Sequence, residues 1–325
     1  MLGQMIQLED FSKNNKNKYI DTLITAYCYE DRIIDSLERN IEMFNIRRAI
    51  VLIYNVVDYL DNSTLKKWER NKVRMQELME SAGIKVIEIP CKDDNVTELS
   101  KNLETIVKTN GEKILIDITG FTKNYILKLA QIFDSKSTLF LYTRSEEHRP
   151  PTPEEQSLSI NKIEPIDGFE GFVNADKKDF LVLILGYEVN RALAFLKKFE
   201  TEPVFTLIGN PHLEDEAENK KYIERAKKAN ARLLNIHRVA LHETSAHSYN
   251  PFLFAEDLEN AIMQFPNIGK YNICISCLGT KMQTFGTYLY WKKNQNCQVL
   301  YSVPYKRLEI GSGAGTSWII KLEDK

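Results

Sequence analysis

The stretch that decides the fold is residues 113–133, KILIDITGFTKNYILKLAQIF. It joins a short run of aliphatic residues to a segment whose apolar residues recur three and four positions apart, with Asp117, Thr119 and Gly120 near the junction. The short apolar run predicts a buried strand, and the helical spacing after it predicts an amphipathic helix. The stretch therefore predicts a strand that turns directly into a helix.

The same alternation extends on both sides of this stretch in the first half of the chain. Strands are predicted at 19–27, 47–55, 85–90 and 137–144, and helices at 32–44, 65–83 and 96–111. Strands that alternate with helices pair in parallel, with helices on both faces of the sheet. The first half is therefore expected to form a Rossmann-like unit.

The second half repeats the order of the first, and two short motifs recur with a spacing of 158 residues. Each motif follows an apolar run, and the two pairs are Tyr29-Glu30 with Tyr187-Glu188, and Thr122-Lys123 with Thr280-Lys281. The segment 157–164, SLSINKIE, also returns as 316–323, TSWIIKLE. Matches in the same order indicate an internal duplication, whose two copies tend to be related by a pseudo-twofold axis. The alternative is chance similarity between two generic units of this kind.

The expected boundaries follow from this repeat. Residues 1–150 form the first unit, 151–178 a linker and 179–325 the second unit. Prolines in 148–156, HRPPTPEEQ, disfavour a helix there. The segment 306–323 has a glycine-rich centre and predicts a β-hairpin. The predicted fold class is α/β: two tandem Rossmann-like parallel-sheet units related by pseudo-twofold symmetry, with a C-terminal β-hairpin.

Composition and charge exclude several classes of function. The chain has 325 residues, of which 43% are hydrophobic and 27% charged, with a formal net charge of −2. Duplex-binding proteins usually have a strongly basic face, so no duplex nucleic acid is expected as a partner. No apolar run reaches the ~18 residues of a membrane span. The N-terminus lacks a secretion signal, and the five cysteines form no disulfide framework, so we expect a cytoplasmic protein.

The repeated motifs follow predicted strands, where open parallel sheets bind their ligands. A Thr-Lys pair at the start of a helix combines backbone N–H groups, a hydroxyl and an ammonium group, which together can hold a phosphate. Arginine adds a planar fork, and tyrosine can stack on a base. The alternative for the Thr-Lys turn is a simple helix cap. The candidate ligand-binding residues are Tyr29, Glu30, Arg32, Thr119, Gly120, Thr122, Lys123, Tyr187, Glu188, Arg191, Gly279, Thr280 and Lys281.

Three other patterns carry weaker signals, and neither a metal nor a cofactor is expected. Cys274 and Cys277 lie near the end of a predicted strand, where residues three apart face opposite ways, and no second pair accompanies them. His242 and His247 do not share a helix face, so a solvated loop that could act as a lid is expected. The glutamates of the repeated motifs are expected to form salt bridges with Arg32 and Arg191.

The segment 117–123, DITGFTK, resembles a signature of CARF domains, the CRISPR-associated Rossmann-fold sensors. In that signature a hydrophobic residue is followed by Asp, then by either Leu or Ile, and then by the sequence Thr-Gly-Gly-Thr-Lys. The resemblance covers residues 19–145 well and 179–303 more loosely. Phe121 stands where the family usually has glycine, and in the second unit Cys277-Leu278 replaces the Thr-Gly step.

This resemblance implies a sensor of cyclic oligoadenylate or a related messenger in antiviral defence. Such domains usually pair around the ligand, so two fused units would provide both halves in one chain, with the nucleotide in a cleft between them. The two units occupy nearly the whole length, which implies either an effector protein supplied in trans or a purely ligand-handling role. One alternative is a metal-independent ring nuclease or nucleotide hydrolase, and another is a non-catalytic structural subunit. The resemblance assigns no catalytic residue, and binding without catalysis is favoured.

Overall fold

The computed structural model describes residues 3–54, 60–91, 99–103, 107, 112–135, 137–149, 151–152, 155, 160–199, 204–236, 239–305 and 311–323. The chain divides into two compact units. Unit 1 comprises Met1–Arg149 and Glu309–Lys325, and unit 2 comprises Pro150–Leu308.

Unit 1 is built on a seven-stranded sheet. Its elements in chain order are β1 (Gly3–Gln7), α1 (Leu8–Asn15), β2 (Lys18–Ala26), α2 (Arg32–Met43), β3 (Phe44–Tyr54), α3 (Asn62–Ser81), β4 (Lys85–Cys91), β5 (Ile114–Asp117), a 3-10 turn (Ile118–Gly120), α4 (Lys123–Ile132), β6 (Thr138–Thr143) and β7 (Glu147–His148).

Unit 2 is built on a six-stranded sheet. Its elements are β8 (Ile160–Pro165), β9 (Lys178–Leu185), α5 (Val189–Lys198), β10 (Val204–Asn210), α6 (Glu216–Ala229), α7 (Ala231–Leu234), β11 (Val239–His247), α8 (Pro251–Met263), a 3-10 turn (Ile268–Lys270), β12 (Tyr271–Cys277), α9 (Lys281–Lys293) and β13 (Gln298–Pro304). The chain then returns to unit 1 with β14 (Gly311–Ser312) and β15 (Ser317–Leu322).

Apart from β1, which pairs with the outer side of β15, the strand order is the same in the two sheets. Unit 1 has the order β1-β15-β6-β5-β2-β3-β4, and unit 2 has β8-β13-β12-β9-β10-β11 when read in the same direction. In each sheet five strands are parallel, and one antiparallel strand flanks them, β15 beside β6 and β8 beside β13. The α/β class with parallel sheets and a Rossmann-like order is therefore confirmed.

The apolar runs of the sequence become the central strands because both faces of each sheet are covered. Leu23 and Ile24 on β2 and Leu183 and Ile184 on β9 have no exposed surface. Helix α9 is buried from Met282 to Trp291, and the hydroxyls of its buried Thr284 and Thr287 donate to the Thr280 and Gln283 carbonyls one turn earlier.

The C-terminal segment differs from the expected hairpin. Strand β15 pairs with β6 and β1, while β14 pairs with β7. Residues 309–325 therefore group with unit 1 instead of the second unit, and β8, expected in a linker, is a strand of unit 2. Burial explains the pairing, since Ile319 and Ile320 are fully buried and the Trp318 ring stacks 6.4 Å from that of Tyr142.

A second difference concerns the segment that contains His242 and His247, which was expected to be a solvated loop. Strand β11 occupies 239–247 and pairs in parallel with β10, with Val204 opposite Val239 and Asn210 opposite His247. It takes the edge position that β4 holds in unit 1. The helix expected at 96–111 lies largely outside the described residues.

Candidate functional site

The two candidate segments of unit 1 lie at one edge of its sheet. Strands β2 and β5 are parallel neighbours, so the loop after β2 and the turn after β5 both leave from their carboxyl ends. The close approach is visible at Gly120, where an added Cβ would lie 3.0 Å from the Ala26 oxygen and 3.3 Å from the Cys28 Cβ. Within unit 1, the structure therefore brings the two predicted segments together.

Asp117 holds this turn from the inside. Its carboxylate accepts hydrogen bonds from Ser36 Oγ at 2.7 Å, Asn40 Nδ2 at 3.0 Å and the Thr119 N–H at 3.0 Å. The Thr119 hydroxyl in turn accepts the Thr143 N–H at 2.9 Å. Asp117 and Thr119 are 1% and 0% exposed. Both side chains are therefore buried under the turn, and their hydrogen bonds fix its conformation.

Glu30 and Arg32 form a buried ion pair at the loop after β2. Arg32 Nη2 lies 2.6 Å from Glu30 Oε2, and Nη1 donates to the Thr143 carbonyl at 3.0 Å. The guanidinium also lies 5.6 Å from the centre of the Tyr142 ring. The expected salt bridge is confirmed, and it fastens the loop to the end of β6.

Unit 2 contains the same arrangement. Arg191 Nη1 lies 2.8 Å from Glu188 Oε2, and Nη2 donates to the Ser302 carbonyl at 2.7 Å. Its guanidinium lies 5.8 Å from the centre of the Tyr301 ring. Arg32 and Arg191 are 6% and 9% exposed, so each guanidinium is mainly used in hydrogen bonds that hold its own loop in place.

The Thr-Lys turns of the two units differ in their caps. Thr122 precedes α4, but its hydroxyl donates to Asn124 Oδ1 and makes no capping bond. Thr280 accepts the Gln283 N–H at 3.1 Å, and Gln283 Oε1 accepts the Thr280 N–H at 2.9 Å. This is a capping box, so the helix-cap interpretation holds for Thr280. Lys123 and Lys281 are the first residues of their helices and are partly exposed.

The glycine that permits close approach lies in the turn in unit 1, at Gly120, but in the loop in unit 2, at Gly186. The turn of unit 2 can therefore carry a side chain, that of Leu278. At Gly186, an added Cβ would lie 2.3 Å from the Leu278 oxygen. The corresponding positions of unit 1 are Cys28 and Gly120, which are also in close contact. One glycine per unit thus allows the loop and the turn to approach. An added Cβ at Gly279, next to Leu278, would lie 2.1 Å from Gln283 Oε1, so a side chain there would displace Gln283 from the capping box.

The remaining candidate side chains lie mainly inside the units. Tyr29 is partly buried and packs against the apolar core of unit 1. Tyr187 is 6% exposed, its ring centre lies 5.9 Å from that of Tyr222, and burial raises the pKa of its hydroxyl. Phe121 is 1% exposed, so its ring points into the unit.

A polar cavity of about 230 Å³ lies at the carboxyl edge of unit 1. Its lining combines three cationic side chains, two carboxylates and a glycine-rich backbone: Arg32, Lys67, Arg149, Glu30, Asp31 and Gly311–Gly313. Gly313 has a φ of +66°, a conformation that favours glycine. Such a lining suits a small polar anion.

Sequence reasoning missed Lys67, Arg149 and the glycine-rich segment as parts of this site. Lys67 lies near the start of α3, the helix that follows β3 at the same edge of the sheet. Its place in the sequence, just after a predicted strand, could have identified it as a candidate. Arg149 and Gly311 are far apart in sequence, and only the pairing of β14 with β7 joins them.

The carboxyl edge of unit 2 carries a histidine pair, of which His247 was expected to lie in a solvated loop and His212 was not considered. The His247 and His212 rings stack with their centres 3.9 Å apart, and His247 Nδ1 lies 2.7 Å from Asp257 Oδ2. Among the described residues, no group of three or more metal-ligating side chains is found. Imidazole and carboxylate side chains are groups that can accept and donate protons.

Comparisons with known proteins find similar folds among the solved structures. No family model and no curated protein matches the chain. A Type III CRISPR defence DNA nuclease activated by cyclic oligoadenylate matches with a TM-score of 0.54 and 8% identity, over 84% of this chain and 64% of that one.

Two other structures match less well. They are the rRNA methyltransferase aviRa from Streptomyces viridochromogenes and a putative universal stress protein from Pseudomonas aeruginosa. The methyltransferase has a TM-score of 0.24 and 10% identity, over 49% of this chain and 78% of that one. The stress protein has a TM-score of 0.25 and 12% identity, over 88% of this chain and 94% of that one. At 8% identity the likeness to the nuclease shows the fold alone. No helix in the part of the chain that the structure describes is long and apolar enough to cross a membrane.

Proposed function

We propose that this chain binds a small anionic nucleotide of the cyclic oligonucleotide second-messenger class, as a sensor in antiviral defence. The observation that supports the proposal is the basic cavity of unit 1, which lies beside the loop after β2 and includes Lys67 and Arg149. Phosphate groups bind where cationic side chains and backbone N–H groups converge. A protein of similar fold is described as activated by cyclic oligoadenylate, which motivates the choice of ligand.

In this proposal the two units use different groups for similar purposes. In unit 1, Lys67, Arg149 and Lys123 contact phosphates, and Glu30 accepts from a ribose hydroxyl. In unit 2, Lys281 contacts phosphate, while Thr280 mainly holds its helix. Arg32 and Arg191 maintain the loops. Binding without turnover would pass the signal to an effector protein in trans.

Direct binding tests the proposal. A panel of cyclic oligoadenylates of different ring size is titrated into the full chain by calorimetry, with linear oligoadenylate for comparison. Lys123→Ala and Lys281→Ala are each expected to weaken binding about tenfold, the usual effect of one lost charge-assisted hydrogen bond. Lys85→Ala is the matched control, because Lys85 is exposed at the amino end of β4, the opposite edge of the same sheet.

Two results would contradict the proposal. If no cyclic oligoadenylate binds, the proposed ligand is wrong and the alternative of a structural subunit is favoured. If both lysine variants bind as tightly as the Lys85→Ala control, the phosphate assignment is wrong. A second candidate function, metal-independent cleavage of the bound nucleotide, is favoured by one observation, the carboxylate-held His247 of unit 2.

A further inference from the structure

Unit 1 contains a second cavity, separate from the basic cavity to which the nucleotide is assigned. It has a volume of about 530 Å³ and is lined by α1, by α2 and by the segment 314–317. The two cavities have no lining residue in common. Sites for small molecules usually measure roughly 300–1,000 Å³, so the size of this second cavity suits a small ligand.

A fixed guanidinium group lines this cavity. Arg39 Nη1 donates to the Gly315 carbonyl at 2.6 Å and to Ser317 Oγ at 2.8 Å, and Nη2 donates to the Ala314 carbonyl at 3.4 Å. These bonds leave the Nε–H and one Nη2–H of Arg39 without an acceptor among the described residues. Two N–H groups in the planar fork of a guanidinium bind a carboxylate in a bidentate manner.

The start of helix α1 is a second feature that suits a carboxylate. The helix begins at Leu8, and no side chain caps it, since the side chain of the preceding Gln7 makes no capping hydrogen bond. Both residues line the cavity. The backbone N–H groups of a helix start carry partial positive charge and attract carboxylates. The cavity therefore combines two independent groups that favour a carboxylate as one end of the ligand.

Two acidic side chains of the same cavity disfavour a simple anion. Glu9 lies on α1, and Glu42 lies on α2 three positions after Arg39, so Glu42 and Arg39 share a helix face. Both glutamates are exposed, and neither forms an ion pair with another described residue. They repel a free anion and attract an ammonium group. A ligand that carries both charges satisfies both sets of groups.

The cavity also has an apolar part. Leu8 and Met43 line it and belong to the hydrophobic core of unit 1, where they are 7% and 4% exposed. An apolar side chain of a ligand can cover the surface that they still expose to water, and burial of such surface is favourable.

We propose that this cavity binds a small zwitterion of the amino-acid and dipeptide class with apolar side chains. Its carboxylate binds the free fork of Arg39, its ammonium group pairs with Glu42, and its side chain packs on Leu8 and Met43. This second site goes beyond the proposed function, and no residue of the nucleotide cavity takes part in it.

Blocked derivatives test whether both charges of the ligand are needed. L-leucine and L-leucyl-L-leucine are titrated into the full chain and followed by ligand-observed NMR. N-acetyl-L-leucine lacks the ammonium group, and L-leucinamide lacks the carboxylate. At least one of the two zwitterions is expected to bind, and each blocked derivative is expected to bind at least tenfold more weakly, the usual effect of one lost charge-assisted hydrogen bond.

Two variants test the location of the site. Glu42→Gln removes an exposed charge, so folding is unaffected, and it should weaken binding of the zwitterion about tenfold. The matched control is Asp35→Asn, because Asp35 is exposed on the same helix and does not line the cavity. Arg39→Lys keeps the positive charge but lacks the fork, and a similar loss of affinity is expected.

Binding that requires both charged ends and Glu42 supports the inference. Absence of binding by both zwitterions overturns it, and so does equal binding of L-leucine and N-acetyl-L-leucine. Equal affinity of the Glu42→Gln and Asp35→Asn variants overturns the location. None of these results affects the nucleotide titrations, so the proposed function stands or fails by its own experiment.

Discussion

The two buried arginines show how single residues hold the loops at the carboxyl edges of the two sheets. Arg32 is 6% exposed and joins Glu30 to the Thr143 carbonyl, so its loss leaves a poorly solvated carboxylate and an unmatched carbonyl. Arg32→Leu is expected to lower the free energy of unfolding by about 3 kcal/mol, the cost of removing one partner of a buried pair. Urea unfolding measures the change.

The matched control for this substitution is Arg70→Ala. Arg70 pairs with Asp31, but the side chains are 61% and 53% exposed, so solvent screens the pair and the cost should stay below about 1 kcal/mol. Equal losses for the two variants would mean that burial of Arg32 adds nothing to the stability of the loop.

The thiols of Cys274 and Cys297 are expected to be unreactive in the folded chain. Burial raises the pKa of each to about 12, and the nucleophile is the thiolate. Between pH 7 and 10 both stay protonated, so alkylation by iodoacetamide should be slow and gain little as the pH rises. The partly exposed Cys91 provides the comparison within the same chain. Mass spectrometry with and without urea reads all three sites, and fast labelling of Cys274 in the native chain would contradict the burial argument.

At the residue scale, the sequence predicted pairs that are close along the chain. Glu30 with Arg32 and Glu188 with Arg191 lie within three positions and follow predicted strands, so their ion pairs could be anticipated. Arg149 reaches the cavity only because a distant glycine-rich segment pairs beside it. Local pattern carries no information about such contacts.

At the scale of elements, the loop after the first parallel strand of unit 2 depends on a glycine. A methyl group at Gly186 would lie 2.3 Å from the Leu278 backbone oxygen, so either the loop or the turn must shift. Gly186→Ala is therefore expected to destabilise the chain by about 2 kcal/mol, in the range of overpacking costs. Gly269→Ala is the control, because nothing lies within 4 Å of its added Cβ. Differential scanning calorimetry measures both, and equal midpoints for the two variants would contradict the close approach.

The elements themselves could be predicted better than their partners. Buried parallel strands and amphipathic helices have strong local periodicity, and most of them lie where the pattern placed them. Strand β11 was missed because its segment contains polar residues and lies at a sheet edge. Strand β15 was recognised as a strand but assigned to a hairpin, since an apolar run does not specify which edge it will cover.

At the scale of the whole molecule, the chain completes unit 1 last. Thr143 and Ser317 share a hydrogen bond of 2.8 Å although 174 positions separate them. Strand β8 follows the first half of the chain but joins the second sheet, and β15 follows the second half but joins the first. Long-range pairing of this kind is slow to form, because the loop-closure entropy is lost before the contacts are gained.

Removal of the last strand should therefore affect one unit only. A chain that ends at Tyr305 lacks β14 and β15, so β6 loses its antiparallel neighbour and the buried Trp318, Ile319 and Ile320 are absent. Each large apolar side chain contributes roughly 1.5–3 kcal/mol when buried, and the sum approaches the whole stability of a typical domain, about 5–15 kcal/mol. Unit 1 is expected to unfold while β9 to β13 of unit 2 stay protected.

Hydrogen exchange read by mass spectrometry distinguishes the two units in this truncated chain. Peptides from β2, β5 and β6 should exchange within the first time points, whereas those from β9, β10 and β12 should keep the protection they have in the full chain. A chain that ends at Glu323 retains β15 and should match the full-length protein. Retained protection in β6 without β15 would show that unit 1 folds independently of the chain's end. Loss of protection in both units would show instead that their stabilities are coupled.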